Sequence, residues 1–113
     1  MHSDLIARLE AATDDQQREL LIEAYEAIHD GDHPEYCSSF RALRFMRMLD
    51  AEAYESAALT LVPEGWTCFH LFRVKGCRFV WEAVIGPELP DYRGQAATPA
   101  LAICIAALRA GEE

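Results

Sequence analysis

The sequence has few basic residues and no long apolar run. Of its 113 residues, 10 are Lys or Arg and 19 are Asp or Glu, giving a formal net charge of −9. This balance argues against direct nucleic-acid binding, which needs a basic surface to contact phosphates. The longest apolar run, Ala100–Leu108, is shorter than the ~20 residues that a membrane-spanning helix requires. The composition therefore predicts no nucleic-acid partner and no membrane partner.

Cysteine patterns and catalytic motifs are also missing. The four cysteines are irregularly spaced without a CxxC pair, and the N-terminal residues do not form a secretory signal. We therefore expect a cytoplasmic protein with reduced cysteines and no disulfide. A nucleophile pair of Cys37 with His33 would lack an orienting third group and an oxyanion motif. Phosphate-binding glycine loops, HExxH and paired-carboxylate motifs are absent as well, so the sequence predicts no enzyme and no cofactor.

One cluster of potential metal ligands has to be weighed against this expectation. His29, His33 and Cys37 follow one another at four-residue spacing. A tetrahedral zinc site would need a fourth ligand from among Cys68, His70 and Cys77. The spacing differs from established zinc signatures, so a solvated loop is the favoured interpretation. We expect no bound metal, and His29, His33 and Cys37 are the candidates if one is found.

The N-terminal part of the chain predicts two amphipathic helices. Apolar residues at helical spacing indicate a short helix over residues 4–11. Thr13 and Gln16 form a capping-box pattern that begins a second helix, which Gly31 is expected to end. One face of this second helix carries the apolar residues Leu20, Leu21, Ala24, Tyr25 and Ile28.

Two β-rich runs follow, residues 66–74 and 77–85, with Lys75-Gly76 between them as a tight turn. Neither run alternates cleanly between apolar and polar residues, which predicts a sheet covered on both faces. Tyr92–Ala96 is a candidate edge strand, and Thr98 with Pro99 begins a C-terminal helix. We expect the core to include Trp66, Phe69, Phe79, Leu101 and Ile105.

Two segments carry a resemblance to a known family. In YESAALTLVPEGW, Tyr54–Trp66, a helix breaks at a proline before the hairpin, and QAATPALAICIAALRA, Gln95–Ala110, is a capped apolar helix. Together they resemble the phage ABA-sandwich domain, a family of small phage and prophage proteins from high-GC bacteria. The resemblance implies a single α+β domain over residues 1–113. Its expected architecture is an α-β-α sandwich with N-terminal helices, an antiparallel hairpin and a C-terminal helix.

Residues 31–50 depart from the family pattern and look like a helical insert, where we expect partner recognition. Ser38 or Ser39 caps a helix over residues 40–49, and residues 51–62 are predicted to continue helically to a proline. Apolar residues surround most of the helical wheel, so some of them, including Phe45, should be exposed. Arg, Met and aromatic residues are enriched in protein interfaces. We therefore predict a partner-binding surface made of Arg41, Arg44, Phe45, Arg47 and Met48.

Three classes of function remain open at this point. The first is a non-enzymatic phage inhibitor of a host protein or nucleoprotein complex, of the anti-CRISPR or another anti-defence type. Residues 1–35 carry a net charge of −8, which would suit mimicry of nucleic acid on a basic host surface. The second is a minor virion or assembly component, in which residues 36–50 would contact the acidic face of a second copy in a homodimer or larger oligomer. The third is a small-molecule or metal-binding module.

Overall fold

The computed structural model describes residues 2–29, 33–34, 39–63, 65–74, 81–87 and 91–111. Within these residues the chain forms five helices and one three-stranded antiparallel sheet. The α+β class and the order of N-terminal helices, hairpin and C-terminal helix are confirmed. In chain order the elements are α1 Ser3–Ala11, a short 3₁₀ turn Asp14–Gln16, α2 Gln17–Ile28, α3 Phe40–Asp50, α4 Tyr54–Leu59, β1 Thr67–Arg73, β2 Trp81–Gly86, β3 Tyr92–Ala96 and α5 Pro99–Gly111.

The predicted capping box does start the second helical segment. The Thr13 backbone N–H donates to the Gln16 side chain at 3.0 Å, and the Gln16 backbone N–H donates to the Thr13 carbonyl at 3.1 Å. This satisfies backbone donors that a helix start would otherwise leave without a partner. The predicted apolar stripe of α2 is buried at Leu20, Leu21, Ala24 and Tyr25, and half-buried at Ile28. The helix ends at Ile28, and Gly31, its predicted end, lies outside the described residues.

The sheet contains the predicted hairpin and the candidate edge strand. β1 pairs antiparallel with β2, from Thr67 opposite Gly86 to Arg73 opposite Trp81, with an irregularity between Cys68 and His70. β3 adds to the other side of β2, so the strand order is β1-β2-β3. The predicted turn Lys75-Gly76 and residues 77–80 lie outside the described residues. The expected return strand is therefore observed from Trp81 onward.

Helix α5 lies at the centre of the molecule. The Thr98 hydroxyl caps it by accepting from the Leu101 backbone N–H at 3.3 Å, and Pro99 is its first residue, as predicted. Every residue from Ala100 to Leu108 is buried, including Leu101 and Ile105 at 0% exposure. A helix that is apolar all round is stable only where other elements surround it. The sheet covers one side of α5, and α1, α2 and α4 cover the rest, so α5, rather than the sheet, is the middle layer of the described elements.

Close packing of the sheet on α5 depends on Gly94 in β3. A Cβ added there would lie 2.7 Å from the Ile105 Cβ and 2.8 Å from the Ala106 backbone nitrogen. It would lie closer still to the Ala102 carbonyl oxygen. No side chain fits in this space without moving backbone. The glycine therefore sets the distance between β3 and α5.

The two sheet faces differ in chemistry. Ala83 pairs with Gly94 and so lies on the α5 face, while its neighbour Glu82 lies on the opposite face. Glu82 is buried, and its carboxylate accepts from the Gln95 side chain at 2.5 Å and lies 3.6 Å from the Arg93 guanidinium. Residues 82–86 are thus buried on both faces of the central strand, whereas His70, Phe72 and Arg73 of β1 are exposed, so the predicted cover on both faces holds for β2 and not for β1.

Of the three aromatic residues predicted for the core, the structure describes the side chain of one. Trp66 was expected to be buried, but it is half-buried and stacks on Tyr92 with ring centroids 5.7 Å apart. It packs at the rim of the core because it precedes the first residue of β1. Phe79 and the side chain of Phe69 lie outside the described part of the chain, so their burial stays a prediction.

The predicted helix over residues 51–62 is wrong at both ends, because α4 covers only Tyr54–Leu59. Helix α3 ends in a two-bond C-terminal motif, in which the Glu52 and Ala53 N–H groups donate to the Leu49 and Met48 carbonyls. Glu52 has a φ of +58°, the left-handed conformation that this motif requires and that glycine usually supplies. Sequence patterns did not reveal this break, since no glycine marks it.

Candidate protein-binding face of α3

Helix α3 is fixed at both ends by local interactions. The Ser39 hydroxyl accepts from the Ala42 backbone N–H at 3.2 Å, so Ser39, one of the two predicted caps, begins the helix. The C-terminal motif at Glu52 ends it after Asp50. The predicted helix over residues 40–49 is therefore confirmed and extends one residue further. These interactions fix where the helix begins and where it ends.

The inward side of α3 is made by residues three and four positions apart. Ala42, Phe45 and Leu49 are buried, and the Phe45 ring lies 4.7 Å from the Tyr25 ring of α2, centroid to centroid. Phe45 is only 1% exposed, so its predicted place on the partner-binding surface is wrong. The physical reason is that residues 42, 45 and 49 share one face of the helix and dock together. Met48, also predicted for the surface, is half-buried against the core.

The outward side of α3 carries a different set at the same spacing. Phe40 is 81% exposed and Leu43 is 51% exposed, and Arg44 and Arg47 are exposed beside them. These four residues occupy positions i, i+3, i+4 and i+7, which form one continuous face of a helix. We call this set the α3 stripe. Sequence reasoning named the two arginines and missed Phe40, whose position three residues before Leu43 was the available signal.

The two arginines of the α3 stripe differ electrostatically from most other arginines of this chain. Arg8 binds Glu23 through two bonds, at 2.7 and 2.5 Å, which raises the pKa of its guanidinium. Arg18, Arg93 and Arg109 are also within 4 Å of carboxylates. Among the described residues, neither Arg44 nor Arg47 has a hydrogen-bond or ion-pair partner. In a protein with 19 acidic residues, this leaves two arginines available to a partner.

Arg41, the third arginine predicted for the surface, lies on the flank of the α3 stripe. Its Nε donates to the Tyr25 hydroxyl at 3.3 Å, which holds the side chain against α2. Arg41 and Arg44 both line a cleft of about 660 Å³ between α2, α3, α4 and the end of α5. Leu59, 46% exposed, lines the same cleft. The structure thus places a convex apolar and basic stripe next to a concave cleft.

The potential metal ligands are only partly described. His33 lies 3.6 Å from Glu26, His29 packs on Tyr25 with ring centroids 4.3 Å apart, and Cys37 lies outside the described residues. No three His, Cys, Asp or Glu side chains are grouped around a metal-sized site in the part of the chain that the structure describes. The expectation of no metal remains a prediction, because Cys37 and Cys77 are not described.

Cys104 is the cysteine whose environment is best defined. It lies in the centre of α5 at 0% exposure, and burial raises the pKa of its thiol because a thiolate there would lose its hydration. Nucleophilic cysteines instead have a lowered pKa and access to solvent. Cys104 is therefore a packing residue, as the apolar character of its helix indicated.

Comparison of the chain with protein-family models, with curated proteins and with solved structures finds no match. The resemblance to the phage ABA-sandwich family accordingly rests on the two sequence segments that carry it. None of the helices in the described ranges combines the length and the apolar character needed to cross a membrane.

Proposed function

We propose that this protein acts without catalysis, by binding another protein through the α3 stripe. The observation that carries the proposal is the combination of two exposed apolar side chains, Phe40 and Leu43, with two arginines that have no partner among the described residues. Exposed apolar side chains flanked by arginine are typical of the centre of protein interfaces. Phe40 and Leu43 are the apolar anchors of this surface, and Arg44 and Arg47 give it charge.

The partner for this surface is a shallow apolar groove with carboxylates along one edge. A helix binds such a groove through residues at positions i, i+3, i+4 and i+7, which is the spacing of the α3 stripe. Arginine binds carboxylates through two parallel hydrogen bonds, which fixes orientation as well as charge. Arg44 and Arg47 are one turn apart, so they would contact two acidic residues on the same edge of the groove.

A second copy of the chain fits this surface less well than a different protein. In a two-fold symmetric dimer each α3 stripe would face the other, which brings Arg44 of both copies together near the axis. The acidic face of α2 is the other candidate on a second copy. There Glu23 already binds Arg8, and Glu26 lies 3.6 Å from His33. Both self-contacts therefore replace existing interactions or bring like charges together.

The family resemblance supports a phage context for this binding activity. The target in our proposal is a host protein or nucleoprotein complex, and binding inhibits it, as in anti-CRISPR or other anti-defence proteins. The charge of −8 over residues 1–35 supports this class, since it would direct the protein toward a basic host surface on approach. The α3 stripe would then make the specific contacts.

Affinity capture from bacterial lysate tests the proposal, with the parent protein, Leu43→Glu/Arg47→Glu and Arg73→Glu as baits. Arg73 is a matched control, because it is exposed on β1, away from α3, and has no ion pair among the described residues. We expect a protein that the parent and Arg73→Glu retain and that the α3 double variant loses. All three baits should have the same circular dichroism and melting temperature.

Two outcomes would reject the proposal. A partner retained equally by all three baits would place the binding surface elsewhere on the molecule. A concentration-dependent oligomer of the purified parent that the α3 double variant abolishes would show that the α3 stripe binds a second copy. The second outcome would favour the role of an assembly component.

A further inference from the structure

We propose that the cleft beside α3 is a binding site for a small amphipathic carboxylate, a molecule with one carboxylate head and an apolar body. The cleft shares Arg44 with the α3 stripe, but its binding of a small molecule does not depend on whether the stripe binds a protein. The cleft encloses about 660 Å³, within the range of ligand pockets, roughly 300–1,000 Å³. It is formed where the C-terminal parts of α2, α4 and α5 meet the flank of α3.

Apolar side chains form most of the cleft wall. Ala27 and Ile28 come from α2, Ala107 comes from α5, and Leu61, Val62 and Pro63 follow α4. An alkyl or aryl body would bury these apolar side chains and exclude water from them. A highly polar ligand would not, so the wall favours a ligand with an apolar body. Leu59 is 46% exposed at the cleft and would be covered by such a body.

Two arginines line the cleft along α3, and the imidazoles of His2 and His29 line other parts of it. Arg41 is held in place by the Tyr25 hydroxyl at 3.3 Å, and Arg44, one turn further on, has no ion-pair partner in the part of the chain that the structure describes. No Asp or Glu is among the described residues that line the cleft. Two guanidinium groups beside an apolar wall match a head that accepts hydrogen bonds in pairs, which a carboxylate does.

The net negative charge of the protein disfavours ligands that carry several negative charges. At −9, the molecule repels polyanions such as nucleotides over the range of the Debye length. A single carboxylate experiences the least repulsion while it still binds both arginines. The ligand class is therefore a monocarboxylate with an apolar body, rather than a nucleotide or inorganic phosphate.

Sodium decanoate is a suitable probe, added below its micelle concentration and followed by ¹H–¹⁵N nuclear magnetic resonance. We expect saturable shifts at the backbone amides of Ala27, Ile28 and Ala107. Acetate has the head without the body, and decyltrimethylammonium has the same chain length with the opposite charge. Decyl phosphate tests whether the head must be a carboxylate. Acetate, decyltrimethylammonium and decyl phosphate should each fail to saturate these shifts at the concentration where decanoate does.

Substitutions in α3 test whether Arg44 binds the carboxylate head of decanoate. Arg44→Gln should weaken decanoate binding at least about tenfold, and Arg44→Lys should restore part of it, because hydrogen bonds to charged groups are stronger than those between neutral groups. Arg47→Gln is the matched control, since Arg47 lies on the same helix and does not line the cleft. Its decanoate affinity should equal that of the parent.

Three kinds of result would overturn the inference. The first is decanoate affinity unchanged by Arg44→Gln. The second is binding of acetate, decyltrimethylammonium or decyl phosphate equal to that of decanoate, and the third is shifts that grow linearly without saturation. The Arg47→Gln variant separates the two proposals, because it should weaken binding of the protein partner and leave decanoate binding intact.

Discussion

Helices α3 and α5 are both rich in apolar residues, yet they have different surroundings. Ten of the 13 residues of α5 are buried, and its apolar side chains contact the sheet on one side and three helices on the other. Three of the 11 residues of α3 are buried, and its opposite face carries exposed Phe40 and Leu43. An apolar helical wheel thus indicates either a central core helix or a surface with an external partner.

The ion pairing of the arginines distinguishes the core helix α5 from the partly exposed helix α3 more clearly than hydrophobicity does. The one arginine of α5, Arg109, lies at its end, where it donates to the Arg93 carbonyl at 2.6 Å and is 3.6 Å from Glu10. The arginines of the α3 stripe recur along the helix and have no such partners among the described residues. Where arginines repeat within an apolar helix of an acidic protein, an external surface is the better interpretation.

Replacing a central residue of α5 by a charge should have the largest effect. Ile105→Asp should cost about 5 kcal/mol or more and unfold the domain, because the carboxylate would have neither water nor a cation. Circular dichroism at 25 °C checks this directly. Leu43→Asp is the control on α3, and it should keep the parent's spectrum. A folded Ile105→Asp protein would show that α5 is not the centre of the core.

The two phenylalanines of α3 should differ by several kcal/mol when truncated. Phe45→Ala removes a buried ring that packs on Tyr25 and should lower the free energy of unfolding by about 3–5 kcal/mol. Phe40→Ala should change it by no more than about 0.5 kcal/mol, since the Phe40 ring is exposed. Urea unfolding curves give both values. Equal losses for the two variants would mean that α3 has no distinct outward face.

The contact between β3 and α5 should be sensitive to a single methyl group. Gly94→Ala places a Cβ against the α5 backbone and should cost about 1–3 kcal/mol, because backbone has to move. Gly111→Ala is the control at the end of α5, where an added Cβ meets nothing within 4 Å. It should be neutral or slightly stabilising. Unchanged stability of Gly94→Ala would indicate that the sheet is not held tightly on α5.

The smallest expected effect is a gain in stability at the end of α3. Glu52→Gly relieves the left-handed backbone at φ +58° and should raise the free energy of unfolding by about 0.5–1 kcal/mol. Glu55→Gly, inside α4, should instead lower it by up to about 1 kcal/mol. Thermal melts of the two variants should therefore shift in opposite directions. A loss of stability in Glu52→Gly would mean that the Glu52 side chain has a structural role.

Sequence reasoning predicted the elements whose signals are local. The Thr13–Gln16 capping box, the Thr98-Pro99 helix start and the β-rich runs each involve residues close together in the chain, and all are confirmed for the described residues. The central position of α5 was not predicted, because burial all round depends on which elements surround a helix. The same limit explains the error at Phe45. Its neighbour Tyr25 is 20 positions earlier in the chain, and no local pattern links the two.

The sequence predicted which segment contains the candidate site, but not which face of helix α3 forms it. Arg44 and Arg47 were named correctly as exposed, while Phe40 was missed and Phe45 was included wrongly. The helical wheel gives the angles between residues, yet the direction of the core is set by the packing of α3 on α2. The cleft was not predicted at all, since its walls come from four separate elements.

In our proposal, the outward face of α3 binds a partner while its inward face stabilises the fold. Calorimetric titration of the captured partner into the parent, Leu43→Ala, Arg47→Ala and Arg73→Ala tests it most directly, with urea midpoints measured on the same samples. We predict that Leu43→Ala and Arg47→Ala each raise the Kd by about thirtyfold, as expected for central interface residues, with midpoints unchanged. Arg73→Ala should leave both quantities at the parent's values. A Kd within about twofold of the parent for both α3 variants would contradict the claim.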